Sequence, residues 1–206
     1  MKKIILLSFL MTIYNANSQD LNLIGGTNFT TYDYTNSSGE ENPNLNGSSG
    51  SYFELSYSAP IRLVKNLQYV LGITLNQFNA TGGDLLNNYS WDTNYLGIIS
   101  GVKYAVTNPR SVIQVDFKGG VNFNNIINGQ QKINGQTYDL TQQKEFSSVG
   151  IQPFIGTEIS CFVSNYIGIT VGYSISKNLT VANGSPETLN FNNSRIEFGL
   201  IIETPR

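Results

Sequence analysis

Every second residue is apolar over long runs of this chain. From 111 to 125, Ile113, Val115, Phe117, Val121 and Phe123 share one face, and Gln114, Asp116, Lys118, Gly120 and Asn122 share the other. The segment 166–176 repeats the pattern, with Ile167, Ile169, Val171, Tyr173 and Ile175 against Gly168, Thr170, Gly172, Ser174 and Ser176. Near the C-terminus Ile196, Phe198, Leu200 and Ile202 oppose Arg195, Glu197 and Gly199. In 67–76, Leu67, Tyr69, Leu71, Ile73 and Leu75 oppose Gln68, Val70, Gly72, Thr74 and Asn76. The lower half of 89–107 agrees, with Leu96, Ile98, Val102, Tyr104 and Val106 against Gly97, Gly101 and Lys103. A helix would repeat every 3.6 residues; a period of two makes strands with one apolar and one polar face.

Eight such strands are expected, near 21–34, 51–59, 67–80, 89–107, 111–125, 146–163, 166–181 and 191–203. The connections between them take turns in length. Long polar stretches (35–50, 81–88, 126–145, 182–190) alternate with short ones (60–66, 108–110, 164–165). An up-and-down chain with this alternation gathers its long loops at one end, the organisation of an outer-membrane barrel with short periplasmic turns. The predicted fold is all-β: an eight-stranded antiparallel up-and-down transmembrane β-barrel over residues 19–206.

Residues 1–18 read as a secretory signal peptide. Lys2 and Lys3 precede an apolar run, and Ala16-Asn17-Ser18 offers small residues for cleavage. The run is shorter than the roughly 20 residues that a membrane helix needs.

Period two does not say which face is inside. Glycine and charge argue that the polar face is. Gly72, Gly97, Gly101, Gly120, Gly156, Gly168, Gly172 and Gly199 all fall on it. On a solvated surface they would weaken the sheet without a packing gain, whereas a narrow eight-stranded lumen needs small residues beside large ones. Glu54, Lys103, Asp116, Lys118, Glu158, Arg195 and Glu197 project with them, three cations against four carboxylates. Facing inward, they form a structural charge network that plugs the lumen; unpaired there, each would be costly. The opposing reading is a soluble sheet with these charges in water. Aromatics gather at strand ends, as in the girdles of membrane barrels. Tyr32, Tyr34, Phe78, Tyr89, Trp91, Phe123, Phe146 and Phe191 lie toward the long loops, and Tyr57, Tyr69, Tyr104, Phe162 and Tyr166 toward the short turns.

Composition narrows function more than it names it. The 206 residues carry a net charge of −2, which gives no basic face for nucleic acid. With no histidine, the usual general base and histidine metal ligands are missing. The single cysteine, Cys161, makes no internal disulfide and reads as a buried or lipid-facing apolar residue. No dinucleotide, phosphate-loop, EF-hand or zinc spacing appears, so no cofactor, metal or catalytic residue is expected. Arg62, Lys65 and Arg110 sit in the short turns, while the long loops lean acidic, with Glu40, Glu41, Asp84, Asp139, Glu145 and Glu187 against Lys132 and Lys144.

Three segments carry a family resemblance: Leu23-Ile24-Gly25-Gly26-Thr27-Asn28-Phe29, Tyr95-Leu96-Gly97-Ile98 leading into Gly101-Val102-Lys103-Tyr104, and Ile169-Thr170-Val171-Gly172-Tyr173. On these the chain resembles the small outer-membrane β-barrel domain family of Gram-negative bacteria, the group related in shape to OmpX and the OmpA membrane domain. The resemblance implies an outer-membrane location, lipid as the surrounding partner, and the barrel assembly machinery as a partner during biogenesis. It implies no shared catalytic residues. The chain departs from the family in ending Glu203-Thr204-Pro205-Arg206, with Phe198 as its last aromatic. The expected function is a non-enzymatic barrel presenting loops 35–50 and 126–145 for envelope structure or surface interaction. The alternatives are a small-solute transport or secretion-accessory barrel and a soluble lipocalin-like periplasmic binder.

Overall fold

A computed structural model describes residues 19–41, 45–61, 63–83, 88–108, 111–147, 149–180 and 187–203. The expected signal peptide, Asp84, Arg62, Arg110, most of the last loop and residues 204–206 lie outside the described residues. The elements are β1 (Asp20–Thr35), β2 (Leu45–Pro60), β3 (Leu67–Gly83), β4 (Asn88–Ala105), β5 (Ile113–Ile133), β6 (Gln136–Asp139), a one-turn helix α1 (Lys144–Ser147), β7 (Gly150–Phe162), β8 (Ile167–Thr180) and β9 (Thr188–Glu203).

Eight of the strands close into an antiparallel ring in chain order, β1-β2-β3-β4-β5-β7-β8-β9, with β9 returning to β1. The first and last strands pair from Asp20↔Glu203 to Thr35↔Thr188, so no sheet edge is left in the ring. Strand β6 stands outside it, paired only with the far end of β5.

The apolar faces point outward. Ile169 and Phe198 are 50% and 59% exposed, whereas Glu197 is 1% exposed. Val115 lies on the same outer face of β5 as the exposed Ile113 and Phe117. Nowhere do these outer residues meet in a central core, which removes the lipocalin-like arrangement. So large an exposed apolar surface is not that of a water-soluble monomer. On β8 it runs from Ile167 to Ile175, about 26 Å of strand at ~3.3 Å per residue, or roughly 20 Å of membrane depth at the usual tilt. Beyond this band the outward residues turn polar, with Gln77 following Leu75 on β3 and Asn94 preceding Leu96 on β4. Tyr57, Tyr69 and Tyr104 sit on the outer face at the short-turn border, the first two with ring centroids 6.0 Å apart. Cys161 is also on the outer face.

Three expectations need correction. First, the loops do not alternate cleanly in length. Strands continue above the band and absorb most of the long connections, leaving 36–44 between β1 and β2 and only 84–87 between β3 and β4. Second, the connection 126–145 is not an open loop. β5 continues to Ile133 and folds back as β6 through Asn134-Gly135, whose φ values of +48° and +87° suit the tight hairpin turn that this dipeptide favours. A bulge opposite Asn94 and Tyr95 resets the phase of β5 on the way. Third, the strand expected from 146 starts at Gly150, and Phe146 belongs to α1.

Candidate functional site

The lumen is filled in tiers that follow the order of residues along the strands. On β9, reading upward from the short-turn end, come Glu197, Arg195, Asn193, Phe191 and Leu189. Ions give way to amides, and amides to apolar rings.

All seven expected lumen charges face inward; five of them join in direct ion pairs, and Glu54 is linked to these through Tyr52. Lys118 of β5 sits between two carboxylates: its Nζ is 3.1 Å from Glu158 Oε1 on β7 and donates also to Glu197 Oε2 on β9. Lys103 Nζ lies 3.9 Å from the second oxygen of Glu158. Arg195 Nε donates to Glu197 Oε1 at 2.6 Å and to Ser174 Oγ at 3.1 Å. Its Cζ lies 3.6 Å from the centroid of the Tyr52 ring. Tyr52 in turn donates its hydroxyl to Glu54 Oε2 at 2.5 Å, and Ser56 donates to Glu54 Oε1 at 2.6 Å. Asp116 stands apart from these contacts and accepts from Gln114 Nε2 at 2.8 Å. Lys118, Arg195, Glu54, Glu158 and Glu197 are thus each held by a named hydrogen-bond partner, as burial requires, whereas Asp116 Oδ2 is buried without a hydrogen-bond partner among the described residues. The void beside Glu54, Lys103, Lys118 and Glu158 measures about 20 Å³, room for roughly one water.

Glycine makes this packing possible where strands pass closely. A Cβ on Gly120 would lie 2.3 Å from the Ser100 carbonyl oxygen and 2.6 Å from Gly101 Cα. On Gly172 it would press on Glu197 and Glu158.

An amide tier lies above. Asn76 and Asn122 both donate to Thr74 Oγ1, at 3.0 and 2.8 Å. Asn124 donates to Gln152 Oε1 at 2.8 Å, and Gln152 to Ser176 Oγ at 2.9 Å.

The upper tier overturns part of the expected girdle. Tyr32, Phe78, Phe146 and Phe191 do not face lipid, and neither do Tyr34, Tyr89 and Trp91, whose phase along β1 and β4 turns them into the mouth of the barrel. The first four are buried inside the barrel with Tyr95, Leu140 and Leu189. Phe78 and Phe191 have ring centroids 5.3 Å apart, Tyr32 and Phe191 4.6 Å, and Phe78 and Tyr95 5.4 Å. The hydroxyl of Tyr32 donates to the Phe78 carbonyl at 3.1 Å. At the other end Phe162 also leaves the girdle, its ring lying beside the inward Gly168. The signal for Phe78 and Phe191 was phase: they share parity with Thr74 and Asn76, and with Arg195 and Glu197. The same rule finds Tyr52 beside Glu54, and Asp20, which takes a hydrogen bond from Gln68 at 3.1 Å.

Above this plug opens a cavity of about 370 Å³. Tyr34, Tyr89, Trp91 and Phe146 form its walls, Tyr32 and Leu189 its floor, and Glu145 and Glu187 its charged margin. Tyr34 donates to Glu187 Oε2 at 2.8 Å. Outside the membrane band, Asp139 caps the end of β6. The Thr141 N–H and hydroxyl both donate to its Oδ1 at 2.8 Å and hold its carboxyl below the ordinary range.

Two solved structures share this architecture. Neisserial surface protein A aligns over 88% of this chain and 96% of its own at 13% identity, with a TM-score of 0.50. The outer membrane protein OprG from Pseudomonas aeruginosa aligns over 93% and 98% at 13% identity, with a TM-score of 0.56. The chain has the fold of a small outer-membrane β-barrel. At such identity the likeness is one of fold. No family model matches the sequence, and no curated protein matches it. The barrel's location in the outer membrane follows from this fold together with its outward apolar band.

Proposed function

We propose that this barrel is a non-enzymatic envelope protein that presents its upper end at the cell surface and conducts no solute. The observation that carries the reading is the closed aromatic tier, with Phe78 fully buried over an ion-paired lumen. A lumen stopped at two levels suits a scaffold better than a pore. The strands that rise above the apolar band, and the β5–β6 hairpin, supply a rigid surface for contact with envelope or extracellular partners. During biogenesis the barrel assembly machinery would be its partner, and lipid thereafter.

The test is electrical. Purified protein reconstituted in planar bilayers is expected to give no stepwise current in concentrated KCl. Stable ohmic steps, graded by solute size, would transfer the assignment to small-solute transport.

A further inference from the structure

The cavity above the plug has a composition that selects a ligand. We propose that it binds a small organic cation whose ammonium carries apolar substituents, a quaternary ammonium or an alkylated amine. This goes beyond the plugged-barrel reading and does not need it.

Size comes first. About 370 Å³ falls within the roughly 300–1,000 Å³ usual for small-molecule sites. The walls decide the class. Tyr34, Tyr89, Trp91 and Phe146 offer ring surfaces around one space, and Tyr32 closes it below. Aromatic faces carry negative quadrupole potential and attract a desolvated cation. The charged residues that line the cavity are the two carboxylates Glu145 and Glu187, with no lysine or arginine lining it among the described residues. An anion would therefore meet like charge, and a hydrated metal ion would meet rings where it needs oxygen ligands. A cation with an apolar shell matches both the rings and the rim.

The rings are held before any ligand arrives. Tyr32 lies 6.1 Å from Trp91 and 6.3 Å from Phe146, centroid to centroid, and Trp91 stacks on Tyr89 at 6.1 Å. The Tyr34–Glu187 hydrogen bond fixes one wall to the margin. The cavity is built from β1, β2, β4, β5, α1 and β9 with the residue before it, so its walls are joined to the barrel scaffold. Pre-placed aromatic walls reduce the ordering cost of binding.

Trp91 is the only tryptophan, so its emission reports on this cavity alone. The experiment titrates refolded protein in a non-ionic glucoside detergent with choline, with its neutral isostere 3,3-dimethylbutanol, and with phosphocholine. Fluorescence and calorimetry are read together. A saturable change with choline is expected, weaker by about tenfold for the neutral isostere. Phosphocholine, whose phosphate opposes Glu145 and Glu187, is expected to bind more weakly than choline, which separates a free cation from a lipid head group. The double variant Glu145→Gln with Glu187→Gln should weaken choline by about tenfold. Trp91→Leu should remove the calorimetric signal, and both variants should keep the heat-modifiable gel migration of a folded barrel. No saturable choline binding would overturn the proposal, as would equal binding of the neutral isostere or tighter binding of phosphocholine. Conductance is not read here, so failure of this site leaves the plugged-barrel reading to its own test.

Discussion

Arg195 lies over the ring of Tyr52, with its guanidinium carbon 3.6 Å from the ring centroid. The same side chain donates to Glu197 at 2.6 Å. One cation thus serves a π face from β2 and a carboxylate on its own strand, tying β2 to β9 through the lumen although β1 stands between them in the ring.

Removing Arg195 should expose the cost of that arrangement. Arg195→Met leaves Glu54 and Glu197 buried with less positive charge, and breaking a buried pair costs about 3–5 kcal/mol. Denaturant unfolding in detergent should show that loss. The double variant Arg195→Met with Glu197→Gln should recover part of it. Arg195→Lys should fall between, since an ammonium cannot both stack and bond as a guanidinium does.

The outer and inner faces of the barrel should respond differently. Ile169→Arg, on the outer face, should impair membrane assembly by roughly 2–4 kcal/mol near mid-bilayer. Gly120→Ala, on the inner face, drives a Cβ into the Ser100 carbonyl and Gly101 backbone and should cost about 1–3 kcal/mol through overpacking. Refolding yield into liposomes separates them: the first variant should stay unassembled as the bilayer is thickened, while the second should assemble with a lowered unfolding midpoint.

Most of this was legible in the sequence, and what was not has definite causes. The outward stripes of β3, β5, β8 and β9 could be read directly, because alternation over Ile167–Thr180 or Thr188–Glu203 leaves no other register for the apolar residues. The inward placement of all seven charges follows from the same parity. Position near strand ends assigns Tyr32, Phe78 and Phe191 to the girdle, whereas their phase puts them with Thr30, Asn76 and Asn193, and phase decides. Phe146 and Leu140 were beyond this rule: they come in from α1 and the turn before it, and packing decides where they go. Pairing partners were also out of reach. That Lys118 meets Glu158 and Glu197 depends on stagger around the ring, which strand-by-strand periodicity does not contain.

Phe78 should matter for stability more than for closure. Phe78→Ala removes a fully buried ring from contact with Tyr95 and Phe191, a change that costs about 3–5 kcal/mol. Bilayer recordings of this variant should remain silent, because the amide and ionic tiers below still fill the lumen. The unfolding midpoint and the absence of current are the two readouts.

The β6 hairpin should loosen in acid. Asp139 has a lowered carboxyl pKa because Thr141 donates to it twice. A group depressed in the folded state contributes stability above its unfolded value and loses it as pH falls through the folded one. Local protection around 134–141 should therefore persist at neutral pH and fade only below about pH 4. Amide exchange followed by NMR would show this, and Asp139→Asn should make that protection independent of pH over the same window.

The central claim is that the apolar stripe of every strand meets lipid. It is tested most directly by a nitroxide scan of β8 in reconstituted bilayers, with Cys161→Ser as background and one cysteine at a time at positions 167–175. Collision with lipid-dissolved oxygen should alternate, with maxima at 167, 169, 171, 173 and 175. Maxima at 168, 170, 172 and 174, or labels at 169 and 171 shielded from oxygen and lipid alike, would contradict it.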